Sequence, residues 1–147
     1  VTRRSGPLGR YSHRQKVLPA DRNSSHDRPD AVSECGRVGL LDHEQAREAS
    51  FEPVSETVTA GSRSGYYPGG DDTDVTLVAD RESGRVLGGS IVGEDRAAIR
   101  IDMLATAIEA DMTVDELERL DLAYAPPFSP VWDPVLVAAK VLNGKLD

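Results

Sequence analysis

Asp74-Val75-Thr76-Leu77-Val78-Ala79-Asp80, then Arg81-Glu82-Ser83-Gly84, then Arg85-Val86-Leu87-Gly88-Gly89-Ser90-Ile91-Val92 is the stretch that decides the fold. Val75, Leu77 and Ala79 alternate with Thr76 and Val78, the period-two pattern of a strand. Arg81–Gly84 is a polar turn ending in glycine. Arg85–Val92 therefore returns as the second arm of a β-hairpin. Gly88-Gly89-Ser90-Ile91-Val92-Gly93 lacks the spacing and the Gly-Lys-Ser/Thr ending of a phosphate loop and lies within a strand, so close backbone packing is its reading.

Working outward, Pro53–Ala60 is β-rich through Val54, Thr57, Val58 and Thr59, and Ala31–Gly39 reads as a short strand ending at glycine. Between them Leu41–Ala49 reads as a helix, with Asp42 as cap and Gln45 at capping-box spacing. Downstream, Ala97, Ile101, Leu104, Ala105 and Ile108 share one helical face. Thr113-Val114-Asp115-Glu116 is a capping box opening a short helix through Leu120. Asp133 caps a last helix with Pro134 in its first turn, where a missing N–H is harmless. The expected fold is α+β: an antiparallel sheet of about four to five strands with helices packed on one face.

The last helix, Val135–Leu142, contains one polar residue, Lys140. A helix at the edge of a small domain needs only one apolar stripe, so its second face is expected to meet another chain or domain. The alternative is a centrally buried helix. Before it lies a strap, Leu120–Pro134, which carries no charge between Asp121 and Asp133. Pro126, Pro127 and Pro130 stiffen it, and Tyr124, Phe128 and Trp132 make it aromatic. Such a segment is too rigid for a linker and too apolar for a free loop. A second stiff aromatic turn, Tyr66-Tyr67-Pro68-Gly69-Gly70, precedes the hairpin. Phenols make apolar contact and exchange hydrogen bonds, and can stabilise a nearby thiolate or oxyanion. From spacing alone, plugging the edge of the domain is the favoured role.

Composition limits the rest. A chain of 147 residues, 39% of them hydrophobic, points to one domain with a modest core. Residues 1–30 hold seven Lys/Arg against three Asp/Glu, and residues 31–147 hold ten against twenty-two. The acidic body should repel nucleic acid. The scarcity of lysine (Lys16, Lys140, Lys145) beside abundant Asp fits a protein kept soluble in high salt. Residues 1–30 read as a disordered or non-native basic arm, a solvated tail in preference to a nucleic-acid contact. Their sharp change of composition also fits a truncated or misread gene start. The domain proper is expected over 31–147. No run approaches the roughly 18 apolar residues of a membrane span, and no export signal is visible. A cytoplasmic location follows by default.

Chemistry-bearing clusters are few. His13, His26 and His43 lack ligand spacing, and the lone Cys35 excludes an intramolecular disulfide. Nothing beside Cys35 would make its thiol reactive, so a small buried residue is expected. Asp71-Asp72-Thr73-Asp74 lacks the glycine and closing Glu of a cation loop. No metal site is expected.

Four segments occur in order: Ser62–Gly69, Gly88–Gly93, Arg100–Ile108, and Leu122–Ser129 running through Asp133-Pro134. Together they resemble the C-terminal dimerisation domain of FAD-dependent pyridine nucleotide-disulfide oxidoreductases. The nearest branch is that of coenzyme A-disulfide reductase, NADH oxidase and NADH peroxidase. The resemblance covers about residues 31–147 and implies the same fold. It also implies a homodimer in which the strap approaches the partner's flavin and redox cysteine. The tyrosines that approach that site would be Tyr124 and one of Tyr66 or Tyr67. Phe128 stands where many relatives have a second tyrosine. The strap contains no His, unlike the glutathione-reductase branch.

The dimer contact is expected to use Pro126, Pro127, Phe128, Trp132, Leu136 and Val137. No cofactor is expected in this chain; FAD and NAD(P)H are implied for a full-length parent, whose FAD and NAD(P)H domains this sequence does not contain. A fragment inactive on its own is the expectation. The alternative is a stand-alone module that binds a separate flavoprotein subunit. A small enzyme built on the tyrosines is disfavoured, because no nucleophile–base pair accompanies them.

Overall fold

In the computed structural model, which describes residues 18–19, 34–39 and 43–146, the hairpin lies inside a five-stranded antiparallel sheet. In chain order the elements are β1 (Leu18–Pro19), β2 (Glu34–Gly39), α1 (His43–Glu48), β3 (Pro53–Gly61), β4 (Asp72–Asp80), β5 (Val86–Gly93), α2 (Ala97–Glu109), α3 (Val114–Glu118) and α4 (Pro134–Asn143). The strand order is β1-β2-β5-β4-β3. The two hairpin strands are therefore interior, and their apolar residues are shielded on both edges. Val75 faces Ile91, Leu77 faces Gly89, and Val58 of β3 faces Val75. The α+β expectation holds. Two residues of the basic arm, Leu18 and Pro19, pair with Cys35 and Glu34. The proposed cap Asp42, and His13 and His26, lie outside the described residues.

Val75, Leu77, Val86 and Ile91 are fully buried beneath Ile101 and Leu104 of α2 and Val135, Ala138 and Leu142 of α4. Each such aliphatic side chain contributes about 1.5–3 kcal/mol relative to exposure. Gly89 is required by this packing. A Cβ there would lie 2.5 Å from Leu104 Cδ1 and 2.9 Å from the Thr76 carbonyl oxygen. The face of α2 differs in detail from the periodicity reading: Ala105 is half-buried, while Ala107 and the charged Arg100 are buried with Ala97, Ile101, Leu104 and Ile108.

Not all helices share one face. The register of β4 on β5 slips between Val78 and Ala79, so that Val78 pairs with Gly88 and Ala79 with Val86. Leu87 is the extra residue of this bulge. It joins Val78 on the opposite face, where Ala46 of α1 covers both, with Ala49 and Phe51. Toward β3 that face is polar, with the Thr57 and Thr76 hydroxyls 2.8 Å apart and Thr59 donating to Asp74 at 2.6 Å.

The capping box of α3 is formed as expected. The Thr113 hydroxyl accepts from the Glu116 amide, and the Glu116 carboxylate accepts from the Thr113 amide. The Val114 amide donates to the Gly84 carbonyl at 2.8 Å, which fastens α3 to the hairpin turn. Placed there, α3 packs on α4, and Asn143 Nδ2 donates to Glu118 Oε2 at 2.9 Å. Part of the second apolar face of α4 is thus covered within the chain. Leu136 is buried, Val137 half-buried and Val141 exposed.

Candidate functional site

Two segments meet at one edge of the domain. The first, 62–71, joins β3 to β4. Its base is closed by the Ser62 amide donating to the Asp71 carbonyl at 2.8 Å and the Asp71 amide donating to Ser62 Oγ at 3.0 Å. Its tip turns where the Tyr67 amide donates to the Ser64 carbonyl at 2.8 Å, and Gly69 follows at φ +82°, a conformation that favours glycine. The turn projects Tyr66, which is 74% exposed.

The second segment is the strap. Ala125 accepts from the amides of Phe128 (2.8 Å) and Ser129 (2.9 Å), closing a tight turn across Pro126 and Pro127. Proline fixes φ at both positions, so the turn loses little further freedom on folding. Phe128 and Trp132 are exposed and each lies beneath a cation: Arg96 at 4.4 Å from the Phe128 ring centre and Lys140 at 4.9 Å from the Trp132 ring centre. The Tyr124 and Tyr66 hydroxyl oxygens are 3.1 Å apart. Tyr67 is also exposed, but its hydroxyl takes no part in that pair.

Beneath the two segments is a polar cluster. Arg100 of α2 donates from Nε to Asp133 Oδ2 at 2.9 Å, from Nη2 to the Ser62 carbonyl at 2.7 Å and the Phe128 carbonyl at 3.5 Å, and from Nη1 to the Asp95 carbonyl at 3.3 Å. Asp133 also accepts from the Ser129 hydroxyl and, as the cap of α4, from the Val135 amide, both at 3.0 Å. Asp95 accepts from Arg63 Nε at 2.8 Å, Arg63 Nη2 at 3.1 Å and the Ser62 hydroxyl at 2.9 Å. Arg96, at φ 65°, opens α2 in a left-handed conformation and donates to the Phe128 carbonyl at 3.4 Å.

The sequence reading found the tyrosines and the cap Asp133. It missed Arg100, Asp95, Arg63 and Arg96. One signal was available: Arg100 sits between Ala97 and Ile101 on the apolar face of α2, and a buried guanidinium requires partners.

The electrostatics follow the geometry. The hydrogen bond from Tyr66, with a second from Ser64, holds the Tyr124 phenol below the usual range, against a small opposing effect of burial. Tyr66 is raised, by the same hydrogen bond with Tyr124 and by burial, against a hydrogen bond with Ser64. Burial alone would push Asp95 up, but the hydrogen bonds from Arg63 and Ser62 and the charges of Arg63 and Arg96 outweigh it and hold the carboxylate below its ordinary value. Asp95 is more acidic folded than unfolded, so its contribution is full above its unfolded pKa of about 4 and is lost as pH falls through its lower folded value. An acid titration followed by unfolding should show a shallower stability loss below about pH 4 in Asp95→Asn than in the parent. An unchanged slope would contradict this linkage.

The pair of phenols can share one proton and can present either a hydrogen-bond donor or an acidified hydroxyl to an approaching group. Among the described residues no thiol stands beside it, since Cys35 is buried in β2, and no group of metal-ligating side chains occurs. No helix among the described residues is long and apolar enough to cross a membrane.

Comparison with known proteins gives this edge a context. The family model for the pyridine nucleotide-disulphide oxidoreductase dimerisation domain matches residues 32–134, and the chain belongs to that family. It is 41% identical over 110 residues to an NAD(P)H coenzyme A polysulfide/persulfide reductase of Pyrococcus horikoshii, covering 75% of this chain and 24% of that protein. It is 39% identical over 79 residues to the coenzyme A disulfide reductase of Staphylococcus aureus, covering 54% of this chain and 18% of that one. Among solved structures, an NAD-dependent persulfide reductase from A. fulgidus superposes with a TM-score of 0.77 at 34% identity, over 90% of this chain and 23% of that chain. The resemblance read from the ordered motifs therefore holds, as does its branch. The chain spans about a quarter or less of the length of these relatives.

Proposed function

We propose that this chain is the dimerisation domain of a FAD-dependent, NAD(P)H-linked oxidoreductase, and that it presents Tyr124 and Tyr66 to the flavin and redox-cysteine site of a partner subunit. The observation that carries this reading is the pair of exposed phenols 3.1 Å apart on the edge that also displays Phe128, Val131 and Trp132. Exposed aromatics grouped on one edge mark an interaction surface. The family to which the chain belongs supplies the kind of partner, a second copy. FAD and NAD(P)H belong to the parent enzyme's other domains, and no catalysis is assigned to this chain alone. The role of its residues is to shape the partner's site. Tyr66 supplies a phenolic proton to Tyr124, and Tyr124 offers an acidified hydroxyl to a thiolate or oxyanion beside it. Of the two candidates on the 62–71 turn, Tyr66 is assigned this role, since it is the one that reaches Tyr124.

Of the six residues proposed for the dimer contact, Phe128 and Trp132 are exposed, Pro126, Pro127 and Val137 are half-buried, and Leu136 is buried within the chain. The contact is therefore assigned mainly to Phe128 and Trp132, with the prolines as its floor. Sedimentation equilibrium of the full chain tests this. Phe128→Asp and Trp132→Asp should each raise the dimer dissociation constant by about thirty-fold or more, the effect of a central aromatic contact. Thr57→Asp, on the open polar face of the sheet, should leave it within about three-fold, the range of a surface substitution away from the contact. Equal effects at all three positions would refute the assignment.

A further inference from the structure

We infer that Arg100, with Asp133, is the positioning residue that brings Tyr66 and Tyr124 together. The inference rests on the proposed reading for its functional meaning, but the positioning itself is a property of this chain. The two tyrosines lie 58 residues apart on segments that share no strand pairing. Tyr66 rides on the 62–71 turn and Tyr124 on the strap. Arg100 donates to both: to the Ser62 carbonyl at the root of the turn, and to the Phe128 carbonyl and the Asp133 carboxylate of the strap.

Burial makes this a fixed reference point. The Arg100 and Asp133 side chains are 5% and 6% exposed. A planar guanidinium holds its acceptors in a set fork, so the distance from Ser62 to the strap is set by one rigid group rather than by two flexible side chains. Asp133 then carries that position into α4, because its other oxygen caps the Val135 amide. The tyrosines themselves are exposed, and the one other side chain that bonds them, Ser64, rides on the same turn as Tyr66 and does not fix the turn to the strap. Small errors in the relative placement of turn and strap would separate hydroxyls that are 3.1 Å apart. Lysine would keep the positive charge but not the fork, and could not serve the Ser62 carbonyl, the Phe128 carbonyl and Asp133 in the same geometry.

Phenolate absorbance against pH, measured on the full chain, tests the inference. Tyr124→Phe identifies the low-titrating phenol, and Tyr66→Phe should raise it toward the ordinary value of about 10. Arg100→Lys should produce the same rise in a chain that remains folded by circular dichroism. A folded Arg100→Lys whose titration matches the parent would overturn the inference, leaving Arg100 a purely structural residue. If Arg100→Lys does not fold, Asp133→Asn decides. It removes the charge that holds Arg100 to the strap and keeps an acceptor for the Val135 amide at the α4 cap. A rise of the same sign supports positioning; no change refutes it. The dimer reading stands or falls on sedimentation, so the two failures are distinguishable.

Discussion

Arg100→Met is expected to lower the unfolding free energy by about 3–5 kcal/mol, the effect of removing one partner from a buried ion pair. Methionine fills much of the arginine volume, so loss of packing is minor. The penalty arises because Asp133, itself buried, is left without its cationic partner. Three carbonyls, of Ser62, Asp95 and Phe128, lose their Arg100 donor as well. Asp133 keeps its bonds from Ser129 and the Val135 amide, which should hold the loss toward the lower end of the range. For a domain with a total stability of about 5–15 kcal/mol, such a loss is a large fraction. Urea unfolding followed by circular dichroism measures it as a fall in midpoint at constant slope. A loss below about 1 kcal/mol, the value of an exposed pair, would mean that water reaches the pair.

Leu104→Ala should cost about 2–5 kcal/mol, since the side chain is fully buried between α2 and the sheet. Gly89→Ala should cost about 1–3 kcal/mol by overpacking, because its new methyl meets Leu104 Cδ1 and the Thr76 carbonyl. The two changes share one space. The truncated side chain at position 104 removes the closer of the two collisions, whereas the Thr76 carbonyl is backbone and cannot yield. The double variant should therefore be more stable than the sum of the single losses predicts, by about 0.5–3 kcal/mol of coupling. Strict additivity would show that Gly89 and Leu104 do not meet as described. The same cycle explains why Gly88-Gly89 belongs to sheet–helix packing and not to a phosphate loop.

How legible was this in the sequence? The hairpin was, because its alternation is long and its turn polar. So were α2, the capping box of α3 and the cap of α4, each marked by local chemistry. The bulge that turns Leu87 to the far face was not. It arises from the register between two strands, and the run Val86-Leu87 reads identically with or without it. For that reason the position of α1 opposite the other helices was also missed. The apolar last helix was read as awaiting another chain, yet α3 covers part of its second face, a long-range contact that no local pattern encodes. At the site, the sequence singled out Tyr66, Tyr67 and Tyr124 as residue types. Only the fold separates Tyr66 from Tyr67, since neighbouring residues on a tight turn point in different directions. Of the arginine cluster only Arg100, on the apolar face of α2, carried a signal; Arg63 and Arg96 look like ordinary surface charges until Asp95 is folded against them.

The aromatic edge is proposed to join two copies of this chain, and multi-angle light scattering on the full chain across a dilution series decides it. The expected mass is twice 15.8 kDa at high concentration, falling to the single-chain mass on dilution, with Trp132→Asp shifting that fall to higher concentration. A folded chain that stays at 15.8 kDa throughout would contradict it.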